Sequence, residues 1–368
     1  MYKAMTLVIL NRYFWKEISF SIMLVLLGLL AMFSFFDLLQ ELDSLGRGHY
    51  GINSMLIYVG LSIPGHIYEV APVAVLLGIV YTLGAMASSS ELIVMRTSGI
   101  SLQTIAKMLL SIGLVFALVT FLIGEVIAPI SEKMAQRIRI QATDSVIAQD
   151  FQSGLWIKDG SSFVNVNTVM PDSSLVDIRI YDFDPEFRLR TISHADKGYF
   201  EDDHWVLSNV TQTKMNTSKA VQHNSVTSQF FKQTKWESLI RPELLNVLLV
   251  LPEKMSAWNL YSFIQYLHQN GQRSTRYQVA LWSKLVYPLA CLVMVMLALP
   301  FGFLQQRAGG ISAKIFAGIF LGVVYQIMNR VFVHLGVLND WSPLVSAISP
   351  TLIFLAAGLG MLYYVERR

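Results

Sequence analysis

Two glutamates could do chemistry in an apolar setting: Glu69, between Pro64 and Pro72 at the start of one long apolar region, and Glu125, at the end of another. A carboxylate at the bilayer centre costs about 2.5–3.5 kcal/mol on insertion scales, so intramembrane acids are candidates for proton or ion coupling. Both fall at the outer ends of their apolar regions, where water and headgroups lower that cost. Interface placement is therefore the simpler reading. Lys133, Arg137 and Arg139 lie just beyond Glu125, and Arg330 ends a further apolar stretch. Guanidinium groups offer paired donors to phosphate, so basic residues at headgroup depth suit an anionic lipid or glycolipid. Snorkelling to ordinary phospholipid is the commoner use of such residues.

A third constellation runs from Ser88 to Gly99 and contains Glu91, Leu92, Ile93, Met95 and Arg96. Ser88 with Glu91 has capping-box spacing, and Gly99 can stop a helix of about two turns. Exposed Leu92, Ile93 and Met95 would make a knob for a partner. An amphipathic turn resting on headgroups has the same pattern. Enzymatic motifs are missing: the chain has no phosphate-binding Gly-Lys-Ser/Thr loop, no His-Glu-x-x-His and no Gly-x-Ser-x-Gly. Its seven histidines lack ligand spacing, and its one cysteine, Cys291, lies in an apolar run. No metal or other cofactor is expected, and uphill movement of a substrate would need an ion gradient or another chain.

The elements that must position these residues are six uncharged runs: Ile18 to Phe36, Val70 to Ser90, Met108 to Gly124, Leu285 to Gln306, Ile315 to Asn329 and Trp341 to Val365. A spanning helix needs about 17–25 apolar residues, so the fifth run requires Val331 to Leu338 to complete its crossing. The chain is 54% hydrophobic and 14% charged, with mean hydropathy +0.49. Soluble domains average about 25% charged residues, and this balance indicates an integral membrane protein. The net charge of +3 is too small to suggest nucleic acid. The first run is too long for a cleaved signal and should remain as an anchor.

Lys3, Arg12, Lys16, Arg96, Lys107, Arg307, Lys314, Arg367 and Arg368 fall on one side of six crossings, against Arg47 and Arg330 in the short segments of the other. That bias puts both termini in the cytoplasm and residues 127–276 on the trans side. The insert alternates apolar residues at Leu155 and Ile157, Phe163 with Val164 and Val166, Ile178 and Ile180, Trp205 and Leu207. Turn signals separate them at Lys158 to Ser161, Pro171 to Ser173, Asp184 to Glu186 and Glu201 to Asp203. Frequent turns without helical periods favour an antiparallel sandwich or jelly roll. A helix near 256–270, capped by Ser256 and stopped by Gly271, carries Leu260, Phe263, Ile264 and Leu267 on one face; it can pack on the strands or lie on the membrane. The three-plus-three layout invites comparison with transporter duplications, but no internal repeat stands out. Gly318 and Gly322 permit close helix contact, and Pro288 and Pro300 should bend or end the fourth span. The fold class is thus an α-helical membrane protein of six spans, with an all-β domain inserted between the third and fourth. Its parts are residues 1–126, 127–276 and 277–368.

Several stretches resemble the LptF/LptG permease family of the lipopolysaccharide export ABC transporter, and more closely its G type. They are Asn11-Arg12-Tyr13, Ser90 to Met95 with Ser98-Gly99, Gly124 to Pro129, Gly154 to Gly160, Arg276-Tyr277-Gln278 and Trp282-Ser283-Lys284. The resemblance implies a six-helix permease with a periplasmic jelly roll in the bacterial inner membrane. It implies pairing with LptF and a cytoplasmic LptB ATPase dimer, a beside-lying LptC helix, and lipopolysaccharide delivery toward LptA. ATP hydrolysis would belong to the separate ATPase subunit. Glu91, Leu92, Ile93, Met95 and Arg96 would form the ATPase-coupling helix; Arg137, Arg139 and Arg330 would contact lipid. Family members carry lysines at the end of the first helix, where this chain has Asp37, Glu41 and Asp43, so lysine contacts are not carried over. The competing readings are the sister permease type, a gradient-driven secondary transporter using Glu69 or Glu125, and a membrane-anchored scaffold.

Overall fold

The computed structural model describes residues 2–143, 155–170, 174–216, 225–238, 242, 251–303 and 310–367. The expected turn at Pro171 to Ser173, together with Gly154, Gln306, Arg307 and Arg368, lies outside the described residues. Largely apolar sequence gives very long helices: α1 (Tyr2–Glu41) and α2 (Ile52–Ser88), the latter running through both Pro64 and Pro72. A seven-residue helix, α3 (Glu91–Thr97), separates α2 from α4 (Leu102–Leu122). A π turn at Ile123–Ile127 then leads directly into α5 (Ala128–Thr143), so the third span projects well beyond its apolar part.

On the far side of the insert, α6 (Ala257–Gln269) is followed by α7 (Thr275–Val286) and α8 (Leu289–Phe303), which meet at a 51° bend. Pro288 stands at that bend, as expected of a residue without an amide hydrogen. Pro300, by contrast, lies inside α8 without ending it. The last two helices are α9 (Gly310–Leu338) and α10 (Pro343–Glu366). The fifth run is completed by Val331 to Leu338, as its composition required. Five described helices are long and apolar enough to cross a membrane alone, and the bent pair makes a sixth span.

Helix α2 is the buried centre of the helical layer, with Ala74, Val75, Leu76, Ile79, Val80 and Leu83 in its core. Small residues set the approach of its neighbours. A Cβ on Gly78 would lie 2.7 Å from the Ile22 Cα of α1, and one on Gly322 of α9 would lie 2.8 Å from a Val73 methyl. Backbones at that separation gain dispersion contacts unavailable to lipid-separated helices.

The insert forms one six-stranded antiparallel sheet in chain order: β1 (Leu155–Asp159), β2 (Ser162–Val169), β3 (Leu175–Phe183), β4 (Leu189–Glu201), β5 (His204–Asn216) and β6 (Ser225–Trp236). Period-2 alternation puts Val164, Val166, Ile178, Ile180, Trp205 and Leu207 on one buried face. The second layer over this face is α6, whose Leu260, Phe263 and Leu267 share the same core. Packing on the strands is thus what its apolar face does. Ser256 accepts the Asn259 amide at 3.2 Å, and Gly271 ends the helix at φ +60°, as expected.

Gly78→Ala should lower the melting temperature of the detergent-solubilised protein by several degrees, because the Ile22 backbone must move. Gly60→Ala, on the same helix with nothing within 4 Å, serves as control and should leave it unchanged or higher. Equal melting curves for the two would contradict the close approach.

Candidate coupling helix and outer mouth

At the inner end, α2 finishes with Ser88 and the chain turns through Ser90 at φ +64° into α3. The expected capping box does not form. The Ser88 hydroxyl donates to the Gly84 carbonyl, continuing α2, while Ser89 donates to Glu91 at 2.9 Å. Glu91 also accepts from Tyr13 of α1 at 3.0 Å, so its carboxylate ties α3 to the first helix. Gly99, at φ +83°, does end the helix, with the Ile100 amide donating back to the Met95 carbonyl.

The expected exposed knob of Leu92, Ile93 and Met95 is corrected in part. Leu92 is 3% exposed and belongs to the membrane core, and Met95 packs against that core, because a helix this short needs anchoring side chains. The outward face is Ile93 and Val94, each 61% exposed, with Arg96 held over the Phe303 ring at 5.7 Å. Two aliphatic side chains beside this cation form a compact exposed patch.

At the outer mouth, acids and bases meet at two levels. The lower one holds both intramembrane candidates. Arg330 of α9 donates to Glu69 at 2.6 Å. The Glu69 carbonyl accepts from Gln326 at 2.9 Å and from the Tyr287 hydroxyl at the α7–α8 bend. Glu125 sits in the π turn, a local widening often found at functional positions. Its Oε1 accepts the Ala257 amide at 2.7 Å, while its Oε2 lies 3.8 Å from the Lys284 ammonium, which donates to the Met255 carbonyl. Lys284 is 7% exposed and faces the Tyr68 ring. Chain entering the membrane at α7, chain leaving it at α5 and the start of α6 are thereby fastened at one point.

The upper level lies about 16 Å further out, the rise of the eleven residues of α2 between Glu69 and Tyr58. There Arg139 lies 3.4 Å from the buried carboxylate of Glu41 and over the Tyr58 ring. Glu41 also accepts from Tyr50 at 2.9 Å, and burial together with that bond holds the Tyr50 hydroxyl above the ordinary tyrosine range. Glu132 accepts from Lys254 at 2.8 Å, while Asp37 pairs with His66 less than one turn of α2 from Glu69, near the lower level. Burial pulls Lys254 down, but the charge and hydrogen bond of Glu132 outweigh it, leaving its pKa raised.

Arg137 is exposed, whereas Arg139 is committed to Glu41, and Arg330 stands on the lower level. The three arginines are therefore not brought together in one cluster. The clasping roles of Lys284, Glu132 and Glu41 escape sequence reading, since their partners lie 159, 122 and 98 residues away or across helices whose register no spacing reveals.

The model of a family described as lipopolysaccharide export system permease LptF/LptG matches residues 12–364. The chain belongs to the LptF/LptG family. It is 31% identical to the lipopolysaccharide export system permease protein LptG of Escherichia coli K12 over 356 residues, covering 96% of this chain and 98% of that protein. It is also 31% identical to LptG of Haemophilus influenzae over 348 residues, 94% and 96% of the two chains. Both relatives are of the G type, in keeping with the resemblance carried by its motifs. A multi-pass membrane protein with an inserted β domain is thus the family's plan as this chain realises it.

Lys284→Met strips the Glu125 carboxylate of the cation it faces and should destabilise the protein by on the order of 3 kcal/mol. Adding Glu125→Gln should recover part of the loss in thermal unfolding. Additive losses would show that the two side chains do not interact.

Proposed function

We propose that this chain is the G-type permease subunit of an ATP-driven exporter that lifts lipopolysaccharide from the outer leaflet of the bacterial inner membrane. The observation that carries the reading is its whole-length similarity to permeases of that name, at 31% identity. In this reading the chain pairs with LptF, docks a LptB ATPase dimer in the cytoplasm, and lies beside a helix of LptC. Lipid passes along its periplasmic sheet domain toward LptA. The chain hydrolyses nothing itself.

The geometry supplies a route for force. The α3 helix joins α2 to α4 and is bonded to α1 through Glu91, so a push on Ile93 and Val94 moves three spans together. The exposed apolar faces of α1 (Phe20, Leu24, Leu27) and α9 (Phe316, Phe320, Val323) flank α2 and suit acyl chains. Arg137, and Arg330 beyond its bond to Glu69, would receive phosphate; Arg139 would do so only by leaving Glu41. A gradient-driven mechanism gains no support from Glu69 or Glu125, because each carboxylate faces a cation.

Replacing Ile93 and Val94 together by Asp should reduce co-purification of the ATPase at least tenfold while the chain still inserts and melts normally. Undiminished assembly with undiminished stimulated hydrolysis would reject α3 as the coupling element. Arg137→Glu should lower lipopolysaccharide co-purified with the complex, without a change in melting temperature. Unchanged lipid occupancy would remove Arg137 from the mouth.

A further inference from the structure

The first turn of α6 carries an exposed aromatic pair that the sheet does not use. Trp258 is 73% exposed and Tyr261 is 50% exposed, with ring centroids 6.3 Å apart, on the side of α6 opposite Leu260, Phe263 and Leu267. Higher on the same face the residues turn polar: Ser262, Gln265, His268 and Gln269. Aromatic character is therefore confined to one end of the helix.

That end has a fixed height. The Ala257 amide is bonded to Glu125, which lies about 35 Å along the helix axis from Leu102 at the inner start of α4. The hydrocarbon core is about 30 Å thick, so the first turn of α6 stands at the outer headgroup boundary. The Met255 carbonyl, bonded to Lys284 of α7, fixes the same height independently. A further half-exposed aromatic residue shares the level: Trp282, about half a turn from Lys284. Indole and phenol rings gather at this boundary, where one edge is apolar and the polar group is hydrated.

We infer that Trp258 and Tyr261 insert into the headgroup and upper acyl region of the outer leaflet, making α6 an interfacial foot on which the β domain stands. One helix thus serves two layers: its apolar stripe closes the sheet, and its first turn grips lipid. The inference depends on the membrane orientation alone and not on the cargo.

Nitroxide labels at W258C, Y261C, Q265C and Q269C, in a C291A background, test it in the full chain with its co-purifying subunits. The complex is placed in nanodiscs of phosphatidylethanolamine and phosphatidylglycerol. Oxygen should relax the labels at 258 and 261 more than a water-soluble nickel chelate does, and the order should reverse at 265 and 269. Chelate dominance at 258 and 261 would overturn the inference, as would labels reached by neither reagent, which would place a protein partner there. Brominated lipids give a second reading without labels: they should quench part of the tryptophan emission, and Trp258→Phe should reduce the quenched share. No reduction would also count against the foot.

Discussion

A carboxylate and an ammonium hold the place where this chain's two worlds meet. Glu125, in a π turn near the outer boundary of the third span, faces Lys284 of the bent fourth span and accepts the first amide of α6. Burying opposite charges is tolerable only when both are compensated. Here the ammonium finds the Met255 carbonyl and the Tyr68 ring; one carboxylate oxygen accepts the first amide of α6, and the other faces the ammonium at 3.8 Å without a hydrogen bond among the described residues. Because chain segments before and after the insert are fastened to each other, the β domain stands on its stem at one defined height.

The outer mouth follows the same rule of local compensation. Acidic residues at the end of α1 would repel an anionic lipid if they were free. Asp37 is matched by His66, and Glu41 by Arg139 and Tyr50. Arg139, one of the three arginines that the resemblance assigns to lipid contact, is thus spent inside the protein, binding α1 to α5. Under the proposed function, Arg139 would reach an outside phosphate only by giving up Glu41, which would couple lipid capture to a loosening of α1.

Much of this was legible in the sequence. Six spans, the inserted strands and the stops at Gly99 and Gly271 all follow from local patterns whose physics acts within a few residues. Helix α2 was read too short, because its outer half carries Tyr58, Glu69 and two prolines, whose polarity and missing amides argue against a helix that tertiary packing nevertheless sustains. The Ser88 cap failed for a related reason: its hydroxyl finds the Gly84 carbonyl within α2 first. Leu92 was expected outside and lies inside, since two turns of helix show no period long enough to reveal its buried face. Pairings such as Glu41 with Arg139 or Glu132 with Lys254 depend on how distant helices are rotated, and no local signal carries that.

Under the proposed function, α3 would receive force, α2 and its glycine-spaced neighbours would transmit it, and the Glu125 junction would carry it to the sheet. The most direct measurement is lipopolysaccharide transfer in proteoliposomes holding the chain with its permease partner, the ATPase and the periplasmic acceptor. A photocrosslinker on the acceptor would capture lipid. Adducts should accumulate only with hydrolysable ATP and stay constant when the proton gradient is collapsed. Transfer that proceeds without ATP, or that stops on collapse of the gradient, would contradict the account.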